Sequence, residues 1–274
     1  MTKLSVNINK IATLRNSRGG NVPNLLTVAT DLQDYGAQGI TIHPRPDQRH
    51  IKYDDALALS KVLTTEFNIE GNPFENKNNH YPGFLTLIEE NLPDQVTLVP
   101  DNPDQLTSDH GWDLKSSLSQ IKDFSERFKS NNIRTSIFLD PDKEQLEIAK
   151  EINIDRVELY TGPFARAFEE KDSKSLKSYQ EAISFANNIN VALNAGHDLN
   201  LSNLPTLLEY GDIDFLAKIT NFVAQVICFR ALKKKLGLLN VDNAVSGAAP
   251  IAPEILKLFM NMGVTIYEGK RMTE

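Results

Sequence analysis

Gly39-Ile40-Thr41-Ile42-His43-Pro44-Arg45-Pro46-Asp47-Gln48-Arg49-His50 is the stretch on which the fold turns. Residues 39–42 are short, apolar and β-branched in the manner of a buried strand, and they run directly into two histidines and two arginines. Imidazoles carry protons near neutral pH, and guanidiniums grip phosphate or carboxylate. This strand therefore ends in chemistry, and whether other strands do the same decides between architectures.

Comparable runs are Leu4–Ile8, Phe67–Glu70, Gln95–Val99, Thr135–Leu139, Arg156–Tyr160 and Val191–Ala195. Nearly all deliver a functional group at the carboxyl end: Asn7 and Asn9, His43, Glu70, Glu158, and Asn194 leading to His197. Helical patterns lie between them, including Leu25-Leu26-x-Val28-Ala29-x-x-Leu32 and Leu118-x-x-Ile121-x-x-Phe124-x-x-x-Phe128. Asp142 reads as a helix start, and Gly36 and Gly211 as helix stops. Repeated βα units leave an open doubly wound sheet or a closed barrel. An open sheet gathers its site at one switch point, usually behind a Gly-rich first turn, and no GxGxxG occurs here. Groups converging from many strands on one face select an α/β fold, the (β/α)8 TIM barrel. Its eighth strand is expected within Asp214-Phe215-Leu216-Ala217-Lys218-Ile219, as an atypical last unit followed by a C-terminal tail.

The 274 residues, 41% hydrophobic and 24% charged, describe a soluble globular chain with room for one large domain or two small ones. A net charge of −7 argues against a general nucleic-acid binder. The single cysteine, Cys228, fits a reducing compartment. MTKLSVNINK carries no apolar signal region, and no apolar run approaches the ~18 residues of a membrane span. The expectation is a cytoplasmic protein with no membrane partner.

Of five histidines, His43, His50 and His197 lie just beyond predicted strand ends, whereas His80 and His110 fall in polar loops. A lone histidine is most often structural; three on one predicted face point to proton transfer. Glu70, inside an apolar strand and before Gly71, reads either as the partner of an arginine or as a general acid/base. Glu158 alternates with Val157 and Leu159, so an ion pair inside the barrel and a catalytic role are both open. Lys10, Arg15 and Arg18, with Gly19 and Gly20, read as a basic loop after the first strand. Such a loop suits phosphate, a plain solvated loop being the alternative, and Arg45 and Arg49 add to the anion-binding case. No HxxxH, HExxH, cysteine pair or acidic cluster has metal-ligand spacing, so proton transfer without metal is expected.

With these residues in hand, the chain resembles the pyridoxine 5′-phosphate synthase family. The resemblance is carried in order by VNINKIATLRNSRGG, GITIHPRPDQRHI, TEFNIEG, DQVTLVPD, RTSIFLD, RVELYTGP and LNAGHDL, over roughly residues 1–217. It implies a barrel that condenses 1-deoxy-D-xylulose 5-phosphate with 3-amino-2-oxopropyl phosphate, with no metal or organic cofactor, assembled as an octamer. It implies His43, Glu70 and His197 as acid/base residues. Asn7 and Arg18 fall on the aminoketone phosphate, and Asn9, Lys10, Arg45, His50 and Thr107 on the deoxyxylulose phosphate. Asp198 stands with the substrate-binding residues, where many members have glycine. Many members also have Asp-His in place of Asn9-Lys10.

The end of the chain departs from that pattern. The family's eighth strand carries an Ile-Gly-His run whose Gly-His binds the aminoketone phosphate, and here Lys218-Ile219-Thr220-Asn221-Phe222 takes its place. Beyond, Cys228–Gly237, Asn243-Ala244-Val245-Ser246-Gly247-Ala248-Ala249-Pro250, and Val264–Gly269 with Met272-Thr273-Glu274 resemble an internal piece of an adenylate-forming long-chain acyl-CoA synthetase. Lys270-Arg271 stands where that family has Tyr-Gly, and its phosphate loop and catalytic lysine are missing, so the tail is not expected to catalyse ligation. A junction is expected near residues 217–222, with residues 1–219 as the barrel domain and 220–274 as the tail. A tail that completes the barrel is the alternative; it reads as helical over 222–236 and 253–262 and as strand over 243–246 and 264–267. Two functions follow: a working synthase, or an inactive chimeric barrel that only binds phosphorylated ligands.

Overall fold

The computed structural model describes residues 2–17, 19–105, 107–200, 202–217, 243–246 and 264–268. Parallel strands close into a barrel in chain order: β1 (Lys3–Asn7), β2 (Gly39–Ile42), β3 (Glu66–Gly71), β4 (Gln95–Leu98), β5 (Arg134–Leu139), β6 (Arg156–Tyr160), β7 (Leu193–Gly196) and β8 (Phe215–Ala217). β8 closes it by placing Phe215 beside Asn194 of β7 and beside Lys3 of β1. The expected eighth strand is thus present over its first part, and residues 218–222 of the expected junction lie outside the described residues.

The intervening helices are α1 (Asn9–Ser17), α2 (Leu25–Asp34), α3 (Tyr53–Leu59), α4 (Phe84–Asn91), α5 (Leu114–Ser130), α6 (Lys143–Glu151), α7 (Gly162–Glu170), α8 (Ser173–Asn188) and α9 (Leu204–Leu208). Asp142 caps α6 as expected, its Oδ1 accepting the N–H groups of Glu144 and Gln145 at 2.8 and 3.2 Å. Gly36 follows α2 at φ 95°, a left-handed position that favours glycine.

One expectation fails here. Residues 9–17, read as a basic loop, form α1, because Ile11, Ala12 and Leu14 make a buried stripe that the surrounding polar residues hide. Arg15 belongs to that buried face, 6% exposed, and donates to both carboxylate oxygens of Asp55. Arg18 lies outside the described residues.

Side chains alternate across each strand. Ile40, Ile42, Phe67, Ile69, Val96, Leu98, Val157 and Leu159 are buried on one set of positions. The other set is polar where barrel interiors are usually branched and apolar. Ser5 and Thr41 hydroxyls lie 2.7 Å apart, Asn68 Nδ2 donates to Thr41 Oγ1 at 3.3 Å, and Thr97 Oγ1 donates to Asn68 Oδ1 at 3.0 Å. Each buried polar group so joined avoids the cost of an unmade hydrogen bond.

Gly71 fixes how β3 ends. A Cβ there would lie 2.3 Å from Cε2 of Phe84, whose ring is fully buried in α4. Gly71→Ala must displace either that ring or the end of β3, and overpacking of this kind costs about 1–3 kcal/mol. A urea titration showing no loss of stability would mean that the Phe84 ring has room to move.

The chain divides into two compact units, Met1–Ile219 and Thr220–Glu274. In the second, β9 (Asn243–Ser246) and β10 (Thr265–Glu268) pair in parallel, with Asn243 opposite Thr265 and Ser246 opposite Glu268. The first is the strand expected there, and the second begins one residue later than expected. The helices expected over 222–236 and 253–262, Cys228 and most of the remaining tail segments lie outside the described residues.

Candidate active site

The carboxyl ends of β1, β2 and β3 are stitched together by side chains. Glu70 on β3 is 1% exposed and His43, just after β2, is 3% exposed. His43 Nδ1 lies 3.7 Å from Glu70 Oε2, and Asn7 Nδ2 donates to the same oxygen at 3.4 Å. Asn7 Oδ1 accepts the Asn9 N–H at 3.0 Å, and Asn9 Oδ1 accepts the His43 N–H at 2.9 Å. The bond from the His43 backbone to position 9 needs only a side-chain acceptor, which the Asn9 amide supplies. A carboxylate beside an imidazole, both withdrawn from solvent, can accept a proton and pass it on.

His197 follows β7 and so stands at the same end of the barrel. Its ring packs against Phe138 and Tyr160, with centroids 5.0 and 5.2 Å away. Its backbone is left-handed, φ 79°, and Asp198 continues at φ 55°. Thr161 holds this turn by donating to the carbonyl oxygens of Gly196 and His197. Aspartate tolerates the left-handed region better than most residues, which suits it to this turn. The Asp198 side chain is exposed.

The expected phosphate contacts fall into separate surroundings. Arg45 is 3% exposed; it pairs with the buried Asp101 and donates to the Gln105 carbonyl at 2.8 Å. Arg49 donates to the carbonyls of Gln105 and Pro103 at 3.0 and 3.1 Å. Both guanidiniums therefore hold the segment after β4, which contains the exposed Thr107. The His50 ring stands 6.2 Å from that of His43, edge to face. Lys10 is exposed on α1. Glu158 is buried in β6, between Phe138 of β5 and Asn194 of β7 in register, and Arg156 from its own strand donates to Asn194 Oδ1 at 3.3 Å. It belongs to the interior of the barrel.

Asp101 and Glu75 were missed by the sequence reading. Asp101 closes the LVPD run, so the rule that strands end in function points to it. Its Oδ2 accepts from Arg45 and, at 2.7 Å, from Ser108 Oγ. Nothing in the pattern singles out Glu75, since its setting is made by three loops. Burial pushes its carboxyl from 4.5 up to about 7; Arg45 opposes this, Asp101 and Asp47 reinforce it, and the nearby Tyr81 hydroxyl opposes it weakly.

A carboxyl held up in the folded state binds its proton more tightly there than in the unfolded chain. Its stabilising effect is complete below pH 4.5 and is lost as the pH rises through about 7. Glu75→Gln, neutral at every pH, should flatten that decline. Allowing for solvent screening, the variant should exceed the parent by about 1–2 kcal/mol at pH 8 and match it near pH 5, read by urea unfolding. Parallel curves for the two proteins would remove Glu75 as the titrating group.

Among the described residues, no group of three or more His, Cys, Asp or Glu is placed to hold a metal ion, and no helix is long and apolar enough to cross a membrane. Fold and site together define a class: a (β/α)8 barrel whose strand ends gather histidines, a buried glutamate and arginines. The chain belongs to the pyridoxal phosphate biosynthesis protein PdxJ family, whose profile matches residues 4–232. It is 48% identical over 246 residues to a pyridoxine 5′-phosphate synthase of Flavobacterium johnsoniae, covering 90% of this chain and 97% of the relative. To the pyridoxine 5′-phosphate synthase of Porphyromonas gingivalis it is 52% identical over 209 residues, covering 76% of this chain and 85% of the relative. Among solved structures, a mutant tryptophan synthase alpha-subunit from Pyrococcus furiosus superposes with a TM-score of 0.54 at 17% identity, covering 87% of this chain and 99% of that one. That likeness is one of fold. The family match runs past residues 217–222, where a junction was expected.

Proposed function

We propose that this chain is a pyridoxine 5′-phosphate synthase, condensing 1-deoxy-D-xylulose 5-phosphate with 3-amino-2-oxopropyl phosphate to pyridoxine 5′-phosphate in vitamin B6 biosynthesis, with release of inorganic phosphate and water. The observation that carries the reading is the buried Glu70 with His43 Nδ1 at 3.7 Å, at the strand ends of a barrel of this family. Ring closure with two dehydrations needs protons removed from carbon and delivered to departing hydroxyls. Glu70 is the central acid/base, and His43 and His197 make the flanking transfers. Asn9, Lys10, Arg45, His50 and Thr107 take the deoxyxylulose phosphate; Asn7 and Arg18 take the aminoketone phosphate, with Asp198 at the rim. Every step is a condensation, a proton transfer or an elimination of water or phosphate, with no net redox change that would call for a redox cofactor.

The chain works as a homo-oligomer in the cytoplasm, an octamer by the family resemblance. Residues 220–274 form a separate C-terminal segment, a division supported by the compact unit Thr220–Glu274; its likeness to an acyl-CoA synthetase fragment rests on the sequence resemblance alone.

The test is turnover by the purified chain with both phosphorylated substrates, following pyridoxine 5′-phosphate. Product formation is expected. The residues Lys218-Ile219-Thr220-Asn221-Phe222 in place of Gly-His favour a second reading, a barrel that binds without reacting. Binding of deoxyxylulose phosphate with no product would establish that reading instead.

A further inference from the structure

The segment between β2 and α3, which presents Arg45, Arg49 and His50, is braced from α1 by a polar relay that the acid/base reading leaves without a role. It begins at Asp55, whose two carboxylate oxygens accept from Arg15 Nη1 and Nη2 at 2.5 and 2.8 Å. Such a forked pair fixes direction as well as distance. Arg15 spends its remaining donors on Asn16 Oδ1, from Nε at 3.1 Å and Nη2 at 2.9 Å, and on the His50 carbonyl at 3.3 Å. With Oδ1 turned to the cation, the Asn16 amide must aim Nδ2 the other way. It donates to the carbonyls of His50 at 2.8 Å and Arg49 at 3.4 Å. Asp55 Oδ2 also accepts the Lys52 N–H at 2.7 Å, so the chain is pinned on both sides of His50.

The ring of His50 feels the result. Its Nδ1 accepts the N–H of Ile51 at 2.9 Å. An imidazole that accepts at Nδ1 carries its proton on Nε2, so the pinned peptide sets the tautomer and leaves Nε2–H as the donor. A donor oriented before the ligand arrives loses less freedom on binding than one ordered by it.

We propose that Arg15 and Asn16 are positioning residues for the deoxyxylulose phosphate: they hold the His50 peptide so that its imidazole offers Nε2–H to a phosphate oxygen. The inference rests on the reading of His50 as a contact to that phosphate. A buried Arg–Asp pair that only joins α1 to α3 is the competing account, and it predicts loss of stability without selective loss of binding.

The experiment uses the full chain with Asn16→Asp, which keeps the shape but cannot donate to the two carbonyls, and Arg15→Lys, which keeps the charge without the fork. Calorimetric Kd is measured for 1-deoxy-D-xylulose 5-phosphate and for 3-amino-2-oxopropyl phosphate. The side-chain tautomer of His50 is read by 15N NMR, its signals assigned with His50→Ala. The expected result is a rise of about tenfold in Kd for the deoxyxylulose phosphate, the scale of one or two lost hydrogen bonds. Kd for the aminoketone phosphate should stay within twofold, and His50 should shift from a single Nε2–H tautomer to a mixture. Unchanged binding and tautomer in both variants, with His50→Ala still weakening deoxyxylulose phosphate, overturn the positioning role alone. If His50→Ala itself leaves that Kd unchanged, the phosphate role of His50 falls and the inference with it. Equal weakening of both ligands alongside a lowered melting temperature assigns the relay to stability and also overturns the proposal.

Discussion

Glu70→Gln is expected to lower turnover about a thousandfold while the barrel stays folded, since positioned acid/base groups typically contribute 10²- to 10⁴-fold. Glutamine keeps the size of the side chain and an oxygen for the Asn7 Nδ2 contact at 3.4 Å. It cannot hold a proton at the oxygen that stands 3.7 Å from His43 Nδ1. Glutamine fills the same buried space without adding volume, so the melting temperature should hold. Binding of deoxyxylulose phosphate should persist within a few-fold, because its proposed contacts come from other loops. Steady-state kinetics with thermal melting separates these effects. Turnover within tenfold of the parent would take Glu70 out of the central role.

The second large effect is on stability. Asp101→Ala should cost about 3–5 kcal/mol in urea unfolding, the usual penalty for stripping one partner from a buried ion pair. Arg45 and Asp101 side chains are 4% and 1% exposed, so the guanidinium left behind has little water to turn to. Ser108 loses its acceptor in the same substitution. The exposed pair Lys177–Glu181, at 3.9 Å, should by contrast contribute little, because solvent and salt screen it. The double variant Arg45→Met, Asp101→Leu should recover most of the loss, because two apolar side chains leave no uncompensated charge. A cost below about 1 kcal/mol for Asp101→Ala would mean that Arg45 reaches solvent once released.

Much of the barrel was legible because each strand's pattern is local. The run Gly39–His43 reads as buried in isolation, and the paired strand covers it as far as Ile42. The placement of His43, Glu70 and His197 at one end followed from strand polarity alone: in an all-parallel barrel every carboxyl terminus lies on the same rim. The failure at residues 9–17 has the opposite cause. Nine residues with Lys10 and Arg15 carry a weak helical signal, and the apolar stripe that makes α1 gains its stability only from the surface it covers. Asp101 was within reach of the strand-end rule, whereas Glu75 was not. Its raised pKa comes first from burial, reinforced by Asp101 and Asp47 against the opposing Arg45, and these residues stand 26 positions after it and 28 to 30 before it, which no window along the chain brings together.

What the sequence by itself determined is the repeating βα order, the shared rim of the strand ends, and the histidines, glutamate and cations placed near it. These depend on alternation along single strands and on strand direction, both readable one element at a time. The tertiary structure alone decided which charges bind and which brace. Arg15, Arg45 and Arg49 are equivalent cations on paper, yet Arg15 is locked to Asp55, Arg45 to Asp101, and Arg49 to Asp47 and the backbone carbonyls of Pro103 and Gln105. The physical reason is that a guanidinium's role is set by which acceptors lie within about 3 Å in a desolvated setting. That proximity exists only once distant loops have been brought to the same end of the barrel.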